Sequence, residues 1–223
     1  MTADTNRPPN PRIYLAGPMV FDPDPAAIFD RMKQLCLAHG LAGVAPLDNQ
    51  IGLENLVPGK DLLQRIVKAD IALMHELQAA IFCLDGFRRG PEMDPGTAFE
   101  IGYMKALGKP IAGWTSDPRP YPERVADFFQ TTFAQPLTET APGKLGGTSG
   151  LLRDPDGILV HSQGCVQNAM VHVGIELAGG IVAADANWEN AFSQALASLA
   201  QQLQAKSPAS PPSPTGHPPS AAR

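Results

Sequence analysis

Residues 79–84 read Ala-Ala-Ile-Phe-Cys-Leu, an unbroken apolar run of strand length. A strand with no polar face must be covered on both sides, which places it inside a parallel sheet sandwiched by helices. The flanking sequence keeps to that plan. Residues 13–16 read as a first strand closed by the turn pair Gly17-Pro18, residues 41–45 as a second, and residues 111–114 as a fourth. Between them, Ile28, Met32, Leu35 and Cys36 recur at helical spacing within residues 26–39. Leu62, Ile66, Ala69, Ile71 and Leu73 do the same within residues 61–77. A third helix opens at Asp94-Pro95 and stops at Gly108 and Pro110, residues 168–177 form another, and residues 188–203 close the domain. Residues 158–161 read as a short strand. Strand and helix in alternation predict an α/β domain, doubly wound around a parallel sheet in three layers, α/β/α.

The ends and one internal stretch depart from this pattern. Residues 1–11 are polar and Pro-rich and read as a flexible arm; residues 206–223, mostly Pro, Ser and Ala, read as disordered. The folded domain is therefore expected over residues 12–205. Residues 115–151 are rich in Pro, Gly and Thr with little period, and read as a long loop.

Charge and composition exclude several functions. The formal net charge is −5 and no basic run occurs, which argues against a nucleic-acid partner. No apolar run approaches the length of a membrane span, and the N-terminus lacks a signal-peptide pattern, so the chain reads as cytoplasmic. Cys36, Cys83 and Cys165 are scattered and odd in number, and no ligand spacing for a metal appears. The glycine-rich fingerprints for ATP and NAD are missing as well. The chain calls for no cofactor and no metal.

In open α/β sheets ligands bind beyond the C-terminal strand ends where strand order reverses, here after strands one and three. The segment after strand three carries Asp94-Pro95-Gly96-Thr97-Ala98-Phe99-Glu100-Ile101-Gly102. It puts one carboxylate at the mouth of a helix and another inside it. Such a pair suits glycosyl transfer: Glu100 as the nucleophile at a sugar carbon, Asp94 as the acid that protonates the departing base. An ionised Glu100 is required, so an environment holding its pKa down would help. Each residue also has an ordinary reading, Glu100 on a solvated helix face and Asp94 as a helix cap. Asp85 closes strand three and either lines the pocket or makes an Asp-Gly turn. Tyr14 either points its hydroxyl at the cleft or packs in the core, and Gly17 would let a substrate approach the backbone closely. Arg88-Arg89 could meet a phosphate or simply be solvated.

Three segments in order, Ile13-Tyr14-Leu15-Ala16-Gly17-Pro18, Pro46-Leu47-Asp48-Asn49-Gln50 and the stretch from Asp94 to Gly102, resemble the nucleoside 2-deoxyribosyltransferases. The run Phe87-Arg88-Arg89-Gly90-Pro91-Glu92 looks like the kinetoplastid-type branch. The likeness covers about residues 12–114 and returns over residues 164–170. It implies a flavodoxin-like fold and a retaining double displacement between a 2′-deoxynucleoside and a free nucleobase. By this resemblance Glu100 is the nucleophile, Asp94 handles the base proton and Tyr14 orients Glu100. Gln50 would contact the base, and Asp70 would line the pocket together with Gly17, Asp85 and Gly96. Asn168 would reach the sugar 5′-hydroxyl of a neighbouring subunit, which makes the expected assembly a homo-oligomer with shared sites. The sequence departs from the pattern in its long loop over residues 115–162 and in Asn168-Ala169-Met170, where Asn-Leu-Met is usual.

Two other readings share the fold. One is a hydrolase of deoxynucleosides or their 5′-monophosphates; the acidic and apolar Met19-Val20-Phe21-Asp22 segment disfavours the phosphate. The other is a non-catalytic nucleotide-binding module, which would not need the acid pair.

Overall fold

A computed structural model describes residues 9–50, 57–140, 151–160 and 164–206. Lys206, where the tail was expected to begin, is the last residue of the closing helix; the rest of that tail and most of the expected N-terminal arm lie outside the described residues.

Five strands form a parallel sheet: β1 (Arg12–Ala16), β2 (Ala42–Val44), β3 (Ala79–Cys83), β4 (Ile111–Thr115) and, much later in the chain, β8 (Val182–Ala184). Their order is β2-β1-β3-β4-β8, so the winding reverses between β1 and β3. Tyr14 pairs with Val44 on one side and Ala80 on the other. The helices are α1 (Pro25–Ala38), α2 (Lys60–Glu76), α3 (Pro95–Ala106), α4 (Tyr121–Phe133), α5 (Ala169–Glu176) and α6 (Trp188–Lys206).

Period-two alternation sorts the strand side chains onto two cores. Ile13, Leu15, Ile81, Cys83 and Trp114 face α1 and α6, where Phe29, Met32, Phe192 and Leu196 are buried. Tyr14, Ala16, Ala80 and Phe82 face α2, α3 and α5, against Leu73, Met74, Ile101, Met104 and Ile175. Burying a side chain such as Phe82 contributes about 2 kcal/mol. The two-sided coverage expected of residues 79–84 is what the fold provides. It also puts Tyr14 and α3 on the same side of the sheet.

Local signals account for the helix ends. Asp24 caps α1 through Ala27 N at 3.2 Å, Pro25 holds its first position, and Gly40 follows it at φ 71°. Lys109 Nζ donates to the carbonyls of Met74, His75 and Leu77, satisfying the C-terminal end of α2.

Several elements depart from the sequence reading. Residues 115–151 are not one long loop, because α4 occupies Tyr121–Phe133 within them. β8 also had no counterpart among the expected strands. The short strand expected near residue 158 exists as β7 (Leu159–Val160), but it joins β5 (Thr138–Thr140) and β6 (Leu151–Arg153) in a separate antiparallel sheet. All three cysteines are buried and free, and burial pushes the Cys36 thiol up to about 12.

Candidate active site

The site forms where β1 and β3 part, on the α2 and α3 side. Tyr14 is fully buried on β1, and its hydroxyl donates to Glu100 Oε1 at 2.7 Å. Burial, then the charges of Glu100 and Asp70, drive the Tyr14 hydroxyl above its ordinary range. It therefore keeps its proton and acts as a donor.

Glu100 lies in the second turn of α3, and its carboxyl is raised to about 7. Burial is the largest cause. The Tyr14 hydrogen bond opposes it, while the Asp70 and Asp94 carboxylates push in the same direction as burial. The surroundings do not hold the Glu100 pKa down, because desolvation and two neighbouring acids outweigh one hydroxyl donor.

Asp70, on α2, is raised by burial to about 6, opposed by a hydrogen bond with the Gln50 side chain. Its Oδ1 is buried with no hydrogen-bond partner among the described residues. Such an atom is suited to meeting a polar ligand group, since an unmatched buried acceptor is costly. Asp94 is 7 % exposed and caps α3, with Oδ2 accepting from Thr97 N at 2.8 Å and Thr97 Oγ1 at 2.9 Å. Tyr14, Gln50, Asp70, Asp94 and Glu100 are thereby brought into one neighbourhood.

Two glycines serve close approach. A Cβ on Gly17 would lie 2.6 Å from Cys83 Cβ, so the β1 and β3 ends can meet only over a glycine. A Cβ on Gly96 would sit 3.0 Å from Asp94 Oδ2, against the capping carboxylate. Around the corner, Pro18, Phe21, Cys83, Phe87 and Trp114 line a hollow of about 540 Å³. The Phe21 and Phe87 rings lie 5.3 Å apart, and the Arg88 guanidinium covers Phe87 at 4.7 Å.

Asp85 lines this hollow too but is held by its own partners, while Asn168 lies in a separate cleft. Asp85 Oδ1 accepts from Thr115 Oγ1 at 2.6 Å and Ser116 N at 2.7 Å, and Oδ2 accepts from Ser116 Oγ at 2.7 Å. Its carboxylate braces β3 to the end of β4. Asn168 caps α5 through Met170 N at 2.9 Å and lines a separate cleft of about 750 Å³ between α3 and α5. Met170, beside it, is 85 % exposed.

The sequence reading passed over Thr97, which holds Asp94 with both its N–H and its hydroxyl. The Asp-x-x-Thr spacing at a helix start was the available signal. Ser116 and Thr115 carried no such signal, since only the sheet register brings them to Asp85. Among the described residues no group of three or more His, Cys, Asp or Glu could hold a metal ion, and no helix is long and apolar enough to cross a membrane.

A three-layer α/β fold with a carboxylate cluster at the strand-order reversal defines the class of protein. Residues 13–170 match the family model described as nucleoside 2-deoxyribosyltransferase, so the chain belongs to that family. An uncharacterized protein of Schizosaccharomyces pombe, C191.05c, is 44% identical over 196 residues, covering 88% of this chain and 92% of its own length. Among solved structures, a 2-desoxiribosyltransferase from Leishmania mexicana aligns with a TM-score of 0.53 at 26% identity, covering 83% of this chain and 97% of that one. A 2-deoxyribosyltransferase from Bacillus psychrosaccharolyticus aligns at 22% identity and a TM-score of 0.41, covering 52% of this chain and 80% of its own.

Proposed function

We propose that this protein transfers the 2-deoxyribosyl group between nucleobases of 2′-deoxynucleosides. Glu100, ionised, attacks C1′ and the N-glycosidic bond breaks, its electron pair leaving with the base. Asp94 gives that base its proton. A second nucleobase then attacks C1′ of the glutamyl-deoxyribose, Glu100 departs as carboxylate, and the proton released by the incoming base returns to Asp94. Two inversions give net retention.

The observation that carries this reading is the 2.7 Å hydrogen bond from Tyr14 to Glu100 within a cluster that also holds Asp70 and Asp94. A donor on one oxygen holds the carboxylate's rotamer and stabilises its charged form, which is the form that attacks. Asp70 and Gln50 meet the base, with Gly17 and Gly96 allowing close approach. Asp85 shapes the rim from its braced position. Asn168 acts in a neighbouring copy of the chain within a homo-oligomer.

Incubating the protein with 2′-deoxyinosine and free adenine, followed by chromatography, tests the proposal. Deoxyadenosine is the expected product. Hypoxanthine with free deoxyribose alone would identify a hydrolase, and no turnover would leave a binding module.

A further inference from the structure

Residues 84–94 connect β3 to α3 and deliver Asp94. The connection is tightly folded: Arg88 and Arg89 both sit in the left-handed region, at φ 51° and 64°. A Cβ on Gly86 would lie 2.3 Å from the Gly90 carbonyl oxygen. Within the segment Phe87 N donates to Glu92 O at 2.8 Å, and Gly90 N donates to Phe87 O at 2.9 Å. Non-glycine residues in left-handed conformations persist where their surroundings over-determine them.

Those surroundings come from two buried polar side chains far along the chain. Arg124 of α4 is 4 % exposed; its guanidinium donates to Pro91 O at 2.8 Å and to Val166 O at 2.7 Å. Gln167 is fully buried and donates through Nε2 to Leu84 O at 3.1 Å and again to Pro91 O at 3.0 Å. The Pro91 carbonyl, three residues before Asp94, thus receives both. Tyr121, one turn before Arg124, adds a hydrogen bond from its hydroxyl to the Glu92 carboxylate. Gln167 Oε1 has no partner among the described residues, so the residue is not there for its own satisfaction. A buried guanidinium and a buried amide that converge on one carbonyl fix a backbone position more firmly than either alone.

We propose that Arg124 and Gln167 are positioning residues that lock the Pro91 carbonyl and so fix where Asp94 meets the departing base. This role rests on the reaction proposed above. Neither side chain touches the sugar or Glu100; the effect passes through the backbone to the acid. A 1 Å misplacement of a reacting group lowers a rate by about a hundredfold.

The test compares two substrates on the full-length chain. Release of hypoxanthine from 2′-deoxyinosine needs a proton from Asp94. A purine deoxynucleoside methylated at N7 already carries positive charge on its base and leaves without one. Arg124→Met and, separately, Gln167→Met should lower kcat for deoxyinosine by about a hundredfold with KM little changed. Single-turnover release of the methylated base, read before the incoming base gives up its proton to Asp94, should stay within about threefold of wild type. Arg124→Lys keeps the charge and loses the two-pronged grip, so it should fall between; it also serves if Arg124→Met does not fold. Equal losses on both substrates, or no loss on either, overturn the positioning role. A wild-type chain inert towards both nucleosides overturns the reaction itself, and the role with it.

Discussion

Tyr14 and Glu100, 86 residues apart in the chain, are joined by a 2.7 Å hydrogen bond that links β1 to α3. It is the contact through which the central sheet sets the orientation of the candidate nucleophile. Removing the hydroxyl takes away a neighbouring group that favours the charged form of Glu100. Tyr14→Phe should therefore lower exchange at pH 7 by about tenfold and move the acid limb of the pH–rate profile upward. An unshifted profile would remove Tyr14 from the mechanism.

Glu100→Ala should abolish base exchange, to below about one part in a thousand of wild type. Chromatography of the deoxyinosine and adenine mixture reads this directly. Intact mass spectrometry of wild type quenched during turnover should show a deoxyribosyl adduct that the variant lacks. Exchange retained in the variant would place the nucleophile elsewhere.

The pH dependence follows from the raised Glu100 and Asp70 carboxyls, at about 7 and about 6. Attack needs ionised Glu100, so kcat/KM should climb between about pH 5 and 8, with apparent values that belong to the coupled acids together. A profile flat across that interval would mean that Glu100 titrates well below it or does not attack.

Stability should run the other way. The folded protein holds Glu100 at about 7, above the ordinary 4.5, so the folded state favours the protonated form. That contribution is complete below the unfolded value and is lost as pH rises through about 7. Glu100→Gln, which stays neutral, should gain about 3 kcal/mol over wild type at about pH 8 and nothing at about pH 4, measured by urea unfolding. A variant no more stable than wild type at the higher pH would contradict the buried, unfavourable charge.

Asp94 caps α3, and its proposed proton transfer can be separated from that duty. Asn is as good a cap as Asp, so Asp94→Asn should leave the thermal midpoint nearly unchanged while exchange falls by about a hundredfold. Asp94→Ala should lose both, with a stability loss of about 1 kcal/mol. Wild-type turnover in the Asn variant would reduce Asp94 to a structural cap.

Much of the sheet was legible because its strands are punctuated. Residues 13–16 end at Gly17-Pro18, and residues 79–84 admit no polar face, so their place in the middle follows from composition alone. The helix α4 was not legible. Pro120 and Pro122 at its start resemble loop residues, and its C-cap, Ala134, takes the left-handed conformation at φ 55° without the glycine that normally marks a stop. β8 has only three residues, too few for a period to emerge. In the site, the Asp94 cap could be read locally from its proline. The Tyr14–Glu100 bond and the raised carboxyls depend on burial created by residues far apart, and no local pattern encodes them. Arg124 and Gln167 lay hidden for the same reason: their hydrogen bonds to the β3–α3 connection go to backbone carbonyls, which carry no side-chain signature.

The brace from Asp85 to Thr115 and Ser116 has a mechanical corollary. It laces β3 to β4 past their last paired residues, Cys83 and Trp114. Any widening of the sheet rim to admit a bulkier guest must then fall on the other seam, between β1 and β3. There, contact over Gly17 leaves no slack for even one added methyl group. Tolerance for larger guests would have to come from the short turn Pro18–Phe21, not from the strands.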